Sequence, residues 1–239
     1  MSLREELAAP RPERLPLPDA LAEAHRRAGL ARVMLLVYAG VVAFLLLGSA
    51  VVGFLFPAQV EAWAAPFDRI ALPVSVGLFI ACAVTFVRWK LTAYRLLPDL
   101  TGSDTNHTPS WAGWAYFVPF LNFVRPYGIM RELWEGSEPE HLGVDLEHEP
   151  VGTWPLGVWW GCWLLGGFAD RVSRSLERNG ASPDDGTLIF MDISSAVLLV
   201  VAAACAAFLV GRIDDRAQRR GTEVLARAVH PLGPPALRF

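Results

Sequence analysis

The sequence predicts an all-α membrane protein: a bundle of four spanning helices plus one broken re-entrant or interfacial segment. Three observations lead there. Hydrophobic residues make up 53% of the 239, and Val33–Phe56 runs 24 positions without a charge, beyond the roughly 20 that a spanning helix needs. Arg and Trp cluster where apolar runs end, as they do at membrane surfaces. The basic residues are also divided unevenly among the connecting segments, which is the usual determinant of orientation.

Residues 1–32 read as a cytoplasmic N-terminal tail and lead-in helix. Pro10, Pro12 and Pro16 among charges favour disorder up to about residue 17. Pro18 and Asp19 read as a helix start with Asp19 as N-cap. No cleavable signal peptide is expected, because a secretory signal carries its apolar core nearer the start.

The membrane domain, 33–211, opens with the span 33–56, closed by Pro57. A loop over Ala58–Ile70 holds Trp63 as an interface anchor. The second span, 71–87, exits at Arg88, Trp89 and Lys90, with helix expected as far as Leu97, before Pro98. After a turn-rich loop comes Trp111–Trp134, whose uncharged part, Trp111–Val124, is only 14 residues long.

An acidic loop leads to the third span, 151–169. This helix is expected to run on through DRVSRSLER to a C-cap at Asn179–Gly180. The last span, 188–211, precedes a charged helix and a Pro-rich end, together the cytoplasmic C-terminal tail 212–239.

Counting Lys and Arg separates two topologies. If Trp111–Trp134 spans, the split is 12 inside against 9 outside; if it does not, 17 inside against 4. The second is far more polarised and puts both termini in the cytoplasm. The segment then enters and leaves on one side, packed against helices, since broken backbone at membrane depth needs shielding. Pro119 breaks the helical ladder, and Asn122 is expected to satisfy a freed backbone group at the bend. Pro126 suits the first turn of a new helix. Tyr127–Trp134 is expected to lie along the cytoplasmic surface.

The run Trp111–Trp134, with Pro119, Asn122, Arg125–Pro126–Tyr127, Arg131–Glu132–Leu133–Trp134 and the later pair Trp159–Trp160, resembles the bacterial membrane family catalogued as domain of unknown function 4328. The resemblance covers roughly residues 33–212. It implies the same helical membrane fold and no activity to carry over.

The best candidate ligand or partner cluster is Asn122, Arg125, Tyr127, Arg131, Glu132 and Trp134. It reads either as an ion-pair site for an anionic ligand, headgroup or partner, or as Arg125 snorkelling to the headgroups and paired with Glu132. Asp192, four residues inside the last span, is an intramembrane carboxylate that Arg171 or Arg69 is expected to neutralise.

His141, Asp145, Glu147, His148 and Glu149 lack the tight spacing of zinc ligands and read as a solvated loop. The stripe Trp154, Trp159, Trp160, Trp163 reads as packing and interfacial anchoring. Cys82, Cys162 and Cys205 form no CxxC pattern and imply no disulfide framework. Asn106–His107–Thr108 is a formal glycosylation acceptor on the cytoplasmic side, where it carries no sugar.

No zinc-protease, nucleophile-elbow, P-loop or dinucleotide motif is present, so no catalytic residue, metal or cofactor is expected. The formal charge of −3 argues against nucleic acid. Twenty of the 21 basic residues are Arg, a bias that with abundant Ala suggests a GC-rich bacterial genome. The expected location is therefore the bacterial cytoplasmic (inner) membrane. The expected function is a non-catalytic accessory or interaction protein, its partners the bilayer and a second copy or another membrane protein. The alternative is a small oligomeric transporter or channel that uses the broken 111–134 segment.

Overall fold

A computed structural model describes residues 15–56, 60–116, 118–138, 152–180, 182 and 186–229, with side chains of the second stretch from residue 69. Six α-helices account for most of it: α1 (Leu17–Leu55), α2 (Val60–Thr101), α3 (Trp111–Trp114), α4 (Arg125–Gly136), α5 (Trp154–Arg178) and α6 (Gly186–Val229). No strand occurs among the described residues. The acidic loop with His141, Asp145, Glu147, His148 and Glu149 lies outside them.

Three helices are long and apolar enough to cross a membrane: α1, α2 from Arg69 onward, and α6. They suggest a multi-pass membrane protein. Their lengths of 39, 42 and 44 residues correspond to roughly 58–66 Å at 1.5 Å per residue. A bilayer core takes about 30 Å, so each helix continues well beyond it. α1 exposes Phe44, Leu47, Val51 and Phe54, and α2 exposes Ile70, Leu72, Val74 and Phe79. Apolar surface on that scale suits lipid rather than water.

The continuations form a charged end made of 17–32 of α1, 88–101 of α2 and 212–229 of α6. α1 runs antiparallel to both partners there. Arg27 meets Thr92, His25 meets Asp214, and Leu21 abuts Gly221. The buried side chains gather at and just above this end. One cluster joins Leu35, Phe86, Trp89, Trp134, Trp159, Ala206 and Ile213; a second joins Leu21, Ala24, Leu96, Leu100 and Ala217.

Several element boundaries differ from expectation. Pro16 rather than Asp19 occupies the cap position of α1, and no side chain caps it; Asp19 falls in the first turn, where a negative charge still favours the helix dipole. The expected loop over Ala58–Ile70 is helical from Val60 onward. α2 also passes Pro98 and ends at Thr101, with Gly102, at φ 69°, donating its N–H to the Pro98 carbonyl. Proline removes its own donor but leaves its carbonyl available. The charged helix expected after the last span is present, as a direct continuation of it in α6.

α5 ends at Arg178 with Asn179 as C-cap and Gly180 at φ 89°, as the Asn–Gly pair predicts. It lies along α6. A Cβ on Gly166 would stand 3.2 Å from the Leu198 Cβ, and Ser195 Oγ donates to the Gly166 carbonyl at 3.1 Å. A small residue thus brings two backbones together.

Among the described residues, the segment before α4 holds no helix longer than one turn. α3 covers four residues, Phe120 adopts φ 63°, and a 3-10 turn spans Leu121–Phe123. Pro126 occupies the first turn of α4. α4 does not lie crosswise: Pro126 meets Lys90, Glu132 meets Tyr94, and Gly136 abuts Leu97. Helix α4 therefore runs alongside the continuation of α2, because its apolar face, Ile129, Met130, Leu133 and Trp134, is buried in the bundle.

Candidate functional site

The six residues of the sequence cluster are brought to one side of the charged end but do not form one ion-pair site. α4 carries five of them, and its helical spacing sends them in different directions. Glu132 points to α2 and the 102–110 loop. Its Oε2 accepts from the buried Tyr94 hydroxyl at 2.6 Å, and its Oε1 accepts from the Asn106 N–H at 2.7 Å. The same Tyr94 oxygen accepts from the His107 N–H at 3.1 Å. Burial first, and then the adjacent Glu132 carboxylate, push the Tyr94 pKa up, which keeps its hydroxyl a donor.

The expected pairing of Arg125 with Glu132 is replaced by other contacts. Arg131 pairs with Glu135 on the exposed face at 2.7 Å, an i,i+4 contact worth about 0.3–0.5 kcal/mol. Arg125 stacks over the Trp111 ring, 3.9 Å from its centroid. Its Nη1 is buried without a hydrogen-bond partner, and so is Asn122 Oδ1. The bend closes through the Leu121 N–H on the Pro119 carbonyl and the Asn122 N–H on the Val118 carbonyl, so the Asn122 side-chain oxygen does not serve the backbone as expected. Tyr127 packs on the main core, and Trp134 lies under the Arg216 guanidinium at 4.1 Å.

Lys90 is the residue that sequence reasoning missed. It is 0% exposed and lies beyond Arg88, off the apolar run of α2. Its ammonium donates to Tyr116 Oη at 3.2 Å and to the Pro126 carbonyl at 3.1 Å, with the Tyr116 ring below at 4.8 Å. One side chain thus ties both ends of the broken segment to α2. Burial without a carboxylate lowers its pKa to about 7. A signal was present: Lys90 is the only lysine in the chain, and Lys90, Tyr94 and Leu97 share one helical stripe.

α6 closes the site from the opposite side. Arg220 donates to the carbonyls of Leu100, Gly136 and Glu138, capping the ends of both α2 and α4 as cations do at helix C-termini. Gln218 donates to the Leu21 carbonyl, and buried Asp214 meets His25 Nδ1 at 2.6 Å. Burial raises the Asp214 pKa, against the lowering effect of His25. A small cavity between these helices, of about 10 Å³, is lined by Trp89, Leu97, Leu133, Ser137, Ile213 and Asp214; about one water fits such a space.

The remaining candidates lie elsewhere. Asp192 accepts from Ser173 Oγ at 2.6 Å, while Arg171 donates to the Gly167 carbonyl. A neutral hydroxyl on α5, not Arg171, is therefore the observed partner. The Trp stripe divides. Trp154 is exposed, Trp159 and Trp160 are buried, and Trp160 stacks on Trp163 at 5.0 Å. Trp160 Nε1 donates to the Phe123 carbonyl at 2.9 Å, so a tryptophan of α5 holds the broken segment. The three cysteines are free thiols.

The model of the family described as "Domain of unknown function (DUF4328)" matches residues 55–215. The chain belongs to the DUF4328 family. The matched region takes in α2 through the start of the charged part of α6, and hence the whole 111–134 segment with Lys90, Tyr94, Glu132 and Asp214. Most of α1 precedes it, so His25 and Leu21 come from outside the DUF4328 match. No curated protein and no solved structure matches the chain.

Proposed function

We propose that this DUF4328 protein crosses the bacterial cytoplasmic membrane four times, with both termini in the cytoplasm, and acts there as a non-catalytic accessory or interaction protein. The observation that carries this reading is the concentration of polar pairing at the charged end. Lys90, Tyr94, Glu132, Asp214 and Arg220 all spend their hydrogen-bonding groups on joining helices to one another. That arrangement stiffens a platform, and a rigid platform suits recognition by another protein.

The fourth crossing in this reading is α5. Its pairings with α6 run from Gly166–Ser195 to Ser173–Asp192, so the two helices share depth over that length. The broken segment is read as entering and leaving on the cytoplasmic side. Gly113 abuts Val87 and Leu91 at one end, and Pro126 meets Lys90 at the other, so both ends sit at the same level of α2. The division of 17 basic residues against 4 supports the same orientation.

A reporter fused after residue 150 tests the topology. Cytoplasmic fluorescence is expected; periplasmic phosphatase activity overturns the four-crossing reading. Photo-crosslinking residues at the exposed positions Asp215 and Arg219 test the interaction role in living membranes. Discrete protein adducts, to a second copy or another membrane protein, are expected at these positions and not at Phe44. Their absence at both positions refutes the role.

A further inference from the structure

Resting on the membrane reading above, we infer that the broken segment is a wedge in the cytoplasmic leaflet, where Arg125 holds the phosphate and Asn122 a headgroup hydroxyl of an anionic phospholipid. The wedge is visible in exposure. Phe120 is 84% exposed, Val124 68% and Phe123 54%, an apolar run on a segment otherwise anchored inward, and Trp154 at the start of α5 is 65% exposed. The anchor is firm: Trp160 Nε1 holds the Phe123 carbonyl, and Lys90 holds Tyr116 and the Pro126 carbonyl.

Phe120 adopts φ 63°, the only positive φ at a non-glycine among the described residues. That conformation costs of order 1 kcal/mol or more, and it turns a large aromatic ring outward rather than into the core. The level of the surface is set by Gly113 against Val87 and Leu91, and by Trp159 against Phe86. This is where the apolar run of α2 ends at Arg88, so the wedge continues the lipid-facing belt into the headgroup layer. Aromatic side chains favour that layer.

The charge chemistry selects the headgroup. The Arg125 guanidinium carbon lies over the Trp111 ring, 3.9 Å from its centroid, and no carboxylate among the described residues pairs with it. Its Nη1 and the Asn122 Oδ1 are both buried and have no hydrogen-bond partner. A planar guanidinium matches a phosphate. The Asn122 oxygen matches a headgroup hydroxyl, which phosphatidylglycerol has and phosphatidylcholine lacks.

Two measurements on the full chain test this. In the first, Cys82, Cys162 and Cys205 are replaced by alanine. A spin label is then placed by Phe44→Cys, Phe120→Cys or Asp104→Cys, in vesicles of phosphatidylethanolamine and phosphatidylglycerol. Labels at 44 and 120 should collide with oxygen, and that at 104 with a water-soluble nickel chelate. If 44 is lipid-accessible while 120 behaves like 104, the wedge is refuted alone. If 44 also behaves like 104, the membrane reading itself fails.

In the second, the thermal midpoint of the detergent-solubilised protein is titrated with phosphatidylglycerol, phosphatidylcholine or inorganic phosphate. Only phosphatidylglycerol should raise it, and Arg125→Gln should weaken the apparent affinity about tenfold. Asn122→Ala should weaken it less. If Arg125→Gln fails to fold, Arg125→Lys, which keeps the charge and loses the stacked plane, should show a measurable loss. An equal response to inorganic phosphate overturns the lipid assignment in favour of a free anion. An equal response to phosphatidylcholine, or no loss in the Arg125 variants, overturns the site.

Discussion

The contact between Glu132 and Tyr94 should be the strongest single coupling in the charged end. Tyr94 is fully buried, its hydroxyl is 2.6 Å from Glu132 Oε2, and Oε1 holds the Asn106 N–H at 2.7 Å. Hydrogen bonds to a charged acceptor are worth about 1.5–3 kcal/mol each. Glu132→Gln keeps the shape but offers one acceptor where two are needed, and Tyr94 already accepts from His107. The amide therefore leaves one pairing unmade and should cost about 2 kcal/mol. Tyr94→Phe should cost a similar amount, because the Glu132 oxygen and the His107 N–H both lose a partner.

The two changes remove the same bond, so the double variant should fall short of the sum by about 1–2 kcal/mol. Reversible unfolding in mixed micelles, followed by near-ultraviolet circular dichroism, measures all four corners of the cycle. Additivity within about 0.5 kcal/mol would show that Glu132 and Tyr94 do not act as one unit and would refute the coupling.

Three further outcomes follow from other contacts. Lys90, with its pKa lowered to about 7, disfavours the folded state below that pH, because ionising it in the folded protein costs what the unfolded chain does not pay. Its penalty fades as pH rises from 7 towards 10.5, so the thermal midpoint should climb over that window and the climb should vanish in Lys90→Met; an unchanged slope refutes the assignment. Gly166→Val should separate α5 from α6, since even a Cβ meets Leu198 at 3.2 Å and the Ser195 carbonyl at 3.4 Å; a loss of about 1–3 kcal/mol is expected in the same unfolding assay, and a neutral result contradicts the close approach. Trp160→Phe removes the bond to the Phe123 carbonyl for about 1 kcal/mol and should speed amide exchange in 118–124; unchanged exchange means the indole does not anchor the segment.

Much of the fold was legible because it depends on local rules. Uncharged runs long enough to span, the Asn179–Gly180 stop and the first-turn Pro126 are each decided within a few residues. Boundaries were missed where tertiary packing overrode a local breaker. α2 passes Pro98 because Leu96, Leu97 and Leu100 are buried on either side.

The site was half legible. Sequence reasoning found Arg125, Glu132 and Trp134 but paired Arg125 with Glu132. Spacing on one helix cannot show that a tyrosine 38 positions away supplies a shorter, buried bond. Arg125 turns instead to Trp111, 14 positions back.

By itself, then, the sequence determined that the chain is helical, that it is apolar enough for a membrane, and that 111–134 cannot be an ordinary spanning helix. These follow from hydropathy and backbone chemistry, which act along the chain. Only the tertiary structure decided what the polar residues do. Lys90 becomes a tie between the two ends of a broken segment, Arg220 a cap on two helices at once, and Arg125 a stacked cation with unmet donors. A side chain's role depends on which group lies within about 3 Å of it, and only packing brings distant parts of the chain that close.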